Sequence, residues 1–442
     1  MERERKSLVQ LFVPICLETL CYMLAGMVDT LMLSSVNDQA VGAVGTANTY
    51  IGIFIIMFSV VSSGMIAVMT QYIGAGRNGV AYQAKQQGLI FSAILGVILS
   101  VFLFFFAKPV LNLVGVADLL LDYAVTYLKI VGGSCILNAL IPIYSSYLRA
   151  FGHTKQPLFA TLTGNAVNFI LNAVFLFVFD MGVMGVAIAT VISRVINLLL
   201  VIIASRRLIH AGEEKDRLPN MVVFGQIIRV GLPSAMETAL YNLAMTIIIR
   251  FLNQMDGEGL NVTARSYAVQ ITNFSYCVGA ALAQANAIMT GWRLGAGKYE
   301  ECDKGTKKAA LIGIAVAAVV EAIFAALSGI IMSWFTDDPE MIALVGKLLA
   351  IDIVLEIGRV SNLVFGNALK TSGDAVFTTI IAAIFMYVCA VGGTYLLGVR
   401  LGMLVVGAYT GLAMDECIRA ICMFFRWQSG KWREKELIRR EE

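Results

Sequence analysis

The stretch Val13-Pro14-Ile15-Cys16-Leu17-Glu18-Thr19-Leu20 recurs later in the chain as Leu232-Pro233-Ser234-Ala235-Met236-Glu237-Thr238-Ala239-Leu240. In both copies a proline inside an apolar run is followed, about one helical turn later, by Glu-Thr. The copies lie roughly 220 residues apart, about half the length of the chain. The chain is therefore predicted to contain two similar halves.

Other motifs keep nearly the same offset and support the duplication. They are Gly74-Ala75-Gly76 with Gly295-Ala296-Gly297, and Leu148-Arg149-Ala150-Phe151-Gly152 with Leu369-Lys370-Thr371-Ser372-Gly373. Duplicated halves in a membrane protein are typical of transporters, in which the substrate site lies where the halves meet.

The composition predicts an all-α, polytopic membrane protein. Hydrophobic residues make up 58% of the chain and charged residues 14%, whereas soluble domains contain about 25% charged residues. About twelve stretches have the roughly 20 apolar residues that cross a bilayer. They lie near 8–33, 45–71, 87–107, 124–148, 158–179, 183–205, 228–252, 263–290, 308–334, 343–370, 376–398 and 403–426.

The basic residues predict the topology, because cytoplasmic loops of membrane proteins are enriched in Lys and Arg. Clusters occur at both chain ends and in loops that follow even-numbered spans. They include Arg3, Arg5, Lys6, Arg206, Arg207, Lys215, Arg217, Lys298, Lys304, Lys431, Arg433, Arg439 and Arg440. We expect a multi-pass protein of the cell membrane with both termini cytoplasmic. The net charge of +3 then reflects topology, and no nucleic-acid partner is expected.

The domain organisation follows from one long polar stretch inside the chain. Residues 206–224 are predicted to form a cytoplasmic linker between an N-terminal lobe, 1–205, and a C-terminal lobe, 225–442, with a basic tail. Six spans per lobe give both repeats the same orientation. The expected fold is twelve transmembrane helices in two pseudo-symmetric lobes around a central cavity, as a monomer.

The sequence gives no sign of a cofactor or a metal site. The eight cysteines show no paired spacing, and the two histidines fall in predicted loops. The Gly-Ala-Gly motifs lack the spacing and the Lys-Ser/Thr of a nucleotide-binding loop. We therefore expect no enzyme activity and no ATP-driven transport by this chain alone.

Ionisable residues inside predicted spans are candidate functional groups, because burying them in a bilayer is costly. Asp29 lies in the outer third of the first helix, eleven residues after Glu18, so the two share a helix face. Asp29 is either an interfacial cap or a carboxylate that exchanges a proton or Na⁺ against substrate. Asn165, Asn168 and Asn172 form an amide stripe on the fifth helix, which provides either cation ligands or helix–helix hydrogen bonds.

Other charges in the spans are open to two interpretations. Glu18 and Glu237, each one turn after a proline, either line the cavity or extend to the cytoplasmic headgroups. On the tenth and twelfth helices a charge network is either a structural latch or a transport site; it consists of Glu356, Arg359, Asp415, Glu416 and Arg419. Ile248 occupies the position equivalent to Asp29. Arg194, in the middle of a span, needs a partner that the sequence does not identify.

Taken together, these motifs resemble the multidrug and toxic compound extrusion (MATE) family of cation-coupled antiporters over essentially the whole chain. The resemblance rests on Val28-Asp29-Thr30, Asn168 through Asn172, Gly182 through Thr190, Glu356-x-x-Arg359-x-x-Asn362 and Asp415-Glu416-x-x-Arg419, besides the duplicated motifs above. It implies two lobes around a V-shaped cavity, rocker-type alternating access, and export of amphipathic, often cationic compounds driven by H⁺ or Na⁺.

The resemblance also implies a site for the coupling ion. In one branch of the family the cation site of the N-terminal lobe matches Asp29, Asn168, Asn172 and Thr190. That branch often has Asp where this chain has Asn172, which puts Na⁺ binding at this site in question. Another branch uses acidic residues of the C-terminal lobe, and Glu237 resembles one of these in the helix it occupies.

The sequence therefore predicts an H⁺- or Na⁺-coupled antiporter for small amphipathic cations. Aromatic residues of the cavity are expected to attract such substrates through cation–π contacts; the candidates are Tyr22, Tyr144, Tyr241 and Phe274. A flippase for lipid-linked glycans or lipids, with a related two-lobe architecture, is the alternative, although its pyrophosphate substrates favour a basic cavity. An intramembrane enzyme is not favoured, because the sequence shows no metal-ligand cluster and no nucleophile–base pair. A channel is not favoured either, because no selectivity-filter repeat is visible.

Overall fold

A computed structural model of the protein describes residues 6–34, 38–113, 116–211, 216–255 and 259–438. The chain divides into two compact units, Met1–Gly231 and Leu232–Glu442. Several residues named above for topology, namely Arg3, Arg5, Lys215, Arg439 and Arg440, lie outside the described residues.

The first unit is built from seven helices and the beginning of an eighth. These are α1 (Leu8–Ser34), α2 (Asp38–Gly74), α3 (Asn78–Leu113), α4 (Asp118–Tyr127), α5 (Cys135–Ala150), α6 (Lys155–Phe177) and α7 (Gly182–Leu208), followed by α8 (Asn220–Met255). A π-helical turn, Leu128–Gly132, joins α4 to α5, and the two helices form one bent span with an angle of 43°.

The second unit begins within α8 and repeats this order. It continues through α9 (Leu260–Gly295), α10 (Tyr299–Ala326), the short α11 (Ser328–Met332), α12 (Pro339–Ser372), α13 (Ala375–Phe385) and α14 (Leu404–Gln428). Two π-helical segments, Met386–Val391 and Thr394–Arg400, extend α13, and a 3₁₀ turn, Lys431–Lys435, follows α14.

The number of membrane passes agrees with the sequence. Within the described residues, eight helices are long and apolar enough to cross a bilayer, and nine if the bent pair α4–α5 is one span. Three further helices, α9, α12 and α14, are 36, 34 and 25 residues long but more polar. Each half of the chain thus contributes six passes, so the prediction of an all-α, twelve-helix, two-lobe membrane fold is confirmed.

Several helices are longer than the predicted spans. A helix of 36 residues, such as α8, measures about 54 Å, whereas the bilayer core is about 30 Å thick. The excess extends the helices into the polar region. For this reason α7 and α8 take up both ends of the polar stretch 206–224, and only residues 209–219 lie between the two helices.

The start of α8 packs against α2 through two glycines. A Cβ atom added to Gly64 of α2 would fall on the carbonyl oxygen of Ile227, and one added to Gly231 would fall on that of Val60. Each glycine therefore faces the carbonyl four residues before the other glycine. Such backbone contact between helices requires the absence of side chains, which explains the glycine at both positions.

Each half ends in a segment that folds back onto the turn that contains its Gly-Ala-Gly motif. After α7, Asp216 accepts two hydrogen bonds from Arg77, at 2.7 and 2.8 Å, and the Leu218 N–H donates to Gln83 at 3.0 Å. After α14, the Trp432 ring stacks on Trp427 with centroids 4.3 Å apart. We call these the linker strap (residues 216–219) and the tail strap (residues 431–437).

Candidate functional site

Each repeat contains the same ion pair next to its first proline. In the first unit Arg149 Nη2 lies 2.7 Å from Glu18 Oε1, and the two side chains are 16% and 6% exposed. In the second unit Lys370 Nζ lies 2.9 Å from Glu237 Oε2. The acids come from the duplicated Pro-Glu-Thr segments, and the bases come from the duplicated motifs at 148–152 and 369–373.

This pairing changes the interpretation of the two acids. From the sequence, Glu18 and Glu237 are expected either to line the cavity or to extend to the cytoplasmic headgroups, and no partner is predicted for either. In the structure each is neutralised inside its own unit, so neither is an uncompensated charge. A buried ion pair of this kind is costly to break, because the remaining partner becomes an unpaired buried charge.

The N-terminal half of α1 is also held by contacts around its proline. Pro14 has no N–H, so the Gln10 carbonyl lacks its usual partner within the helix. The Thr154 hydroxyl donates to this carbonyl at 3.4 Å, and Lys6 Nζ donates to the Gly152 carbonyl at 2.6 Å. All but one of the buried residues of α1 lie between Leu11 and Glu18. This end of α1 is therefore fixed to the turn between α5 and α6.

Farther along α1, the predicted N-terminal site is largely assembled. Asn172 Nδ2 donates to Asp29 Oδ1 at 2.8 Å and approaches Asn168 Oδ1 at 3.2 Å. Asn165 donates to the Cys21 carbonyl at 3.1 Å. The amide stripe of α6 therefore faces α1 and forms hydrogen bonds between the two helices, one of them to Asp29.

Thr190 completes this region on α7. The Thr190 side chain is buried, and its hydroxyl donates to the Val186 carbonyl at 2.9 Å. The buried Tyr127 of α4 lies beside it and also interacts electrostatically with Asp29. Asp29 has no ion pair among the described residues, and the buried Asn172 Oδ1 has no hydrogen-bond partner there. The site thus contains one carboxylate without an ion pair and one amide oxygen without a hydrogen bond in the described residues.

The predicted charge network of the second unit is present as a connected cluster. Arg419 binds Asp415 through two hydrogen bonds, at 2.7 and 2.9 Å, and lies 2.8 Å from Glu416. Arg359 forms an ion pair with Glu356 and lies 3.5 Å from Glu416. The network links α12 to α14, which is what a latch between these helices requires.

Two further acids near this network were missed in the sequence analysis. Glu321 of α10 is 0% exposed and Asp352 of α12 is 2% exposed, and both interact electrostatically with Arg359. Neither carboxylate oxygen of Glu321 has a partner in the described part of the chain, and nor does Asp352 Oδ2. The signal was available, because both acids lie inside predicted apolar spans and Asp352 precedes Glu356 by one turn.

The four predicted aromatic residues fall into two groups. Tyr22 and Tyr241, one turn after the paired acids, are 53% and 39% exposed, and Phe274 is 39% exposed. Tyr144 is instead buried, with Lys85 Nζ located 5.0 Å from the centre of its ring. Among the described residues, Tyr144 therefore already has an internal cation over its ring, unlike the three exposed aromatic residues.

Comparisons with known proteins match both halves. A family model described as MatE matches residues 14–174 and again 233–396. "Uncharacterized transporter YisQ" of Bacillus subtilis (strain 168) is 32% identical over 435 residues, which cover 97% of this chain and 95% of the relative. "Probable multidrug resistance protein NorM" of Thermotoga maritima is 22% identical, with 99% and 95% covered.

Solved structures share the fold. A MATE transporter of Vibrio cholerae, VcmN, in a mutant form, superposes with a TM-score of 0.88 at 18% identity, with 97% of each chain covered. A structure described as MATE in the straight conformation gives a TM-score of 0.87 at 20% identity, with 97% of this chain and 96% of that chain covered.

Proposed function

Because the chain belongs to the MatE family of transporters, we propose that it is a secondary antiporter that exports amphipathic, cationic small molecules in exchange for H⁺ or Na⁺. The observation that carries the proposal is Asp29, a carboxylate inside a membrane-spanning helix that is held by Asn172 and has no ion pair in the described residues. An intramembrane acid of this kind is expected to exchange an ion.

The proposed mechanism is alternating access. Ion binding at Asp29 stabilises one arrangement of the protein, and substrate binding stabilises the other. Each ligand can shift the equilibrium only by the difference in its affinity for the two states. The hydrogen bond from Asn172 to Asp29 responds to ion binding. A carboxylate that has bound H⁺ or Na⁺ is a weaker acceptor for the amide N–H than a free, charged carboxylate.

The proposed substrate class rests on the exposed aromatic side chains and on the relatives. Tyr22 and Tyr241 present rings of the kind that bind apolar cations. Relatives of Thermotoga maritima and Mannheimia succiniciproducens carry the name "Probable multidrug resistance protein NorM". We place the protein in the cell membrane as a monomer, with both termini cytoplasmic. A lipid or lipid-linked glycan flippase remains the alternative.

The second unit offers another place for the coupling ion. Glu321, Asp352 and Glu356 are all buried and each has a carboxylate oxygen without a partner in the described residues. Arg359 interacts electrostatically with all three. The candidate acids of the two lobes are different residues. Variants of each can therefore show which lobe binds the coupling ion.

The test is uphill transport of ethidium in proteoliposomes under separately imposed pH and Na⁺ gradients. We expect Asp29→Asn to abolish gradient-driven transport, since the amide cannot take up H⁺ and has no charge for Na⁺. Asp122→Asn, a change at an exposed position of α4, is the matched control. Transport that Asp29→Asn leaves intact and Glu321→Gln abolishes would move the coupling site to the second unit. Flipping of a lipid-linked glycan without ethidium transport would favour the alternative.

A further inference from the structure

A second charged residue lies at the N-terminal site, and the proposed mechanism does not use it. Arg194 is located in the middle of α7, four residues after Thr190, so both residues lie on the same face of the helix. It interacts electrostatically with Asp29 and also with the buried Tyr127 and Cys135. Arg194 therefore lies in the interior of the first unit, on the side of α7 that carries Thr190.

The guanidinium of Arg194 is not fully hydrogen-bonded. Its Nη1 atom is shielded from solvent and has no hydrogen-bond acceptor among the described residues. The nearby acid Glu18 is already bound to Arg149 at 2.7 Å. Asp29 likewise has no ion pair in the described part of the chain. The region thus contains one negative and one positive charge, each without an ion-pair partner.

We propose that Arg194 supplies the counter-charge of Asp29, so that the N-terminal site excludes metal cations such as Na⁺. A monovalent cation gains little from a site whose charges already sum to zero, because the guanidinium repels it while Asp29 attracts it. The neutral oxygens of Asn168, Asn172 and Thr190 carry only partial charges, so they offset little of the repulsion between the guanidinium and a metal cation. Arg194 is thus a residue that determines ion specificity.

The charge count predicts how the site can be converted. Arg194→Gln removes the positive charge, and Asn172→Asp adds a carboxylate 2.8 Å from Asp29 with almost no change in shape. Either change leaves a net charge of −1 and should create a Na⁺ site. Arg194→Lys keeps the charge and should not. Adding Asp29→Asn to either converting variant restores zero and should remove the new site.

The first measurement is the thermal unfolding midpoint of the purified protein in NaCl and in choline chloride at equal ionic strength. A ligand that binds only the folded protein raises this midpoint. We expect no Na⁺-specific rise for the unmodified protein and Arg194→Lys, and a clear rise for Arg194→Gln and Asn172→Asp. A Na⁺-specific rise in the unmodified protein that Asp29→Asn removes would overturn the inference, as would converting variants without any rise.

The second measurement is ethidium transport driven by Na⁺ at a fixed pH. In Arg194→Gln and Asn172→Asp we expect the Na⁺ gradient to stimulate transport at least about fivefold, the lower range of coupling between two ligands. In the unmodified protein we expect no Na⁺ stimulation that depends on Asp29. Only this second measurement depends on the proposed function. If no ethidium gradient is ever formed, the proposed function fails, while the unfolding midpoints still decide whether Arg194 excludes Na⁺.

Discussion

At the scale of single residues, the two equivalent ion pairs differ in burial, and this difference sets their strength. Glu18 and Arg149 are 6% and 16% exposed, whereas Glu237 and Lys370 are 21% and 20% exposed. Water can therefore compensate a broken pair in the second unit better than in the first. The base also differs, since arginine offers several donors in a fixed geometry and lysine a single ammonium group.

We expect Glu18→Gln to lower the free energy of unfolding by about 3–5 kcal/mol, the cost of leaving a buried partner charged and unpaired. Glu237→Gln should cost less, because its partner is more accessible to water. The measurement is detergent-based unfolding of the purified protein. The double variant Glu18→Gln/Arg149→Gln serves as control and should recover part of the loss. Equal losses for Glu18→Gln and Glu237→Gln would contradict this account.

The two ion pairs also show which part of the site cannot be predicted from the sequence. The acids of both pairs were identified from the sequence, and so was the duplication of the motifs that contain Arg149 and Lys370. Their pairing was not identified, because an ion pair between residues more than a hundred positions apart depends on tertiary packing. The repeat contained a usable signal: an acid and a base that recur together at the same offset are candidates for contact.

At the scale of elements, the contact between α2 and α8 depends on two glycines. Gly64→Ala would place a methyl group on the Ile227 carbonyl, and the helices would have to separate. We expect this overpacking to cost about 1–3 kcal/mol. Gly52→Ala, in the same helix, is the control, because a Cβ atom there meets nothing within 4 Å. The unfolding midpoints of the two variants should differ clearly, and equal midpoints would show that α2 and α8 do not touch here.

The helices themselves were the most predictable elements. Their existence depends on local runs of apolar residues, and every predicted span coincides with a helical pass. Their ends were less predictable, as at α8, which begins at Asn220 although the apolar run begins near residue 228. Polar residues continue a helix beyond the bilayer without any change in periodicity that would mark the membrane surface.

At the scale of the whole molecule, each half is completed by a strap at the end that carries its Gly-Ala-Gly turn. In the tail strap, Trp432 Nε1 donates to the Trp427 carbonyl of α14 at 2.9 Å, and Trp427 Nε1 in turn donates to Asp303 at 2.8 Å. Asp303 belongs to the first turns of α10, directly after the second Gly-Ala-Gly motif. The linker strap binds Arg77, directly after the first such motif. Both straps therefore join the last helix of a half to the same turn of that half.

We expect Trp432→Ala to release the tail strap, because it removes the ring that stacks on Trp427 and donates a buried hydrogen bond; truncating a buried tryptophan to alanine costs about 3–5 kcal/mol. Limited trypsin digestion is the readout, since Lys431, Arg433 and Lys435 should become cleavable. Trp334→Ala is the matched control, because Trp334 is 77% exposed. An unchanged digestion pattern for Trp432→Ala would show that the ring does not hold the tail.

The linker strap should be sensitive to pH. The hydrogen bonds from Arg77 lower the pKa of Asp216 below its ordinary value of 3.8. A lowered pKa means that the stabilisation is complete above the ordinary value and is lost as the pH falls through the lowered one. Asp216→Asn should therefore cost about 1 kcal/mol or less at pH 7 and nothing at strongly acidic pH. Unfolding midpoints across this range test it, with the exposed Glu300→Gln as control; a constant difference would contradict it.

The duplicated ion pairs also separate what the two halves share from what distinguishes them. Both copies of the segment carry the acid and the base, so this contact belongs to the repeated scaffold. Asp29, by contrast, has Ile248 at the equivalent position of the second half. Ile248→Asp would therefore give the second half an intramembrane carboxylate at the position that Asp29 occupies in the first.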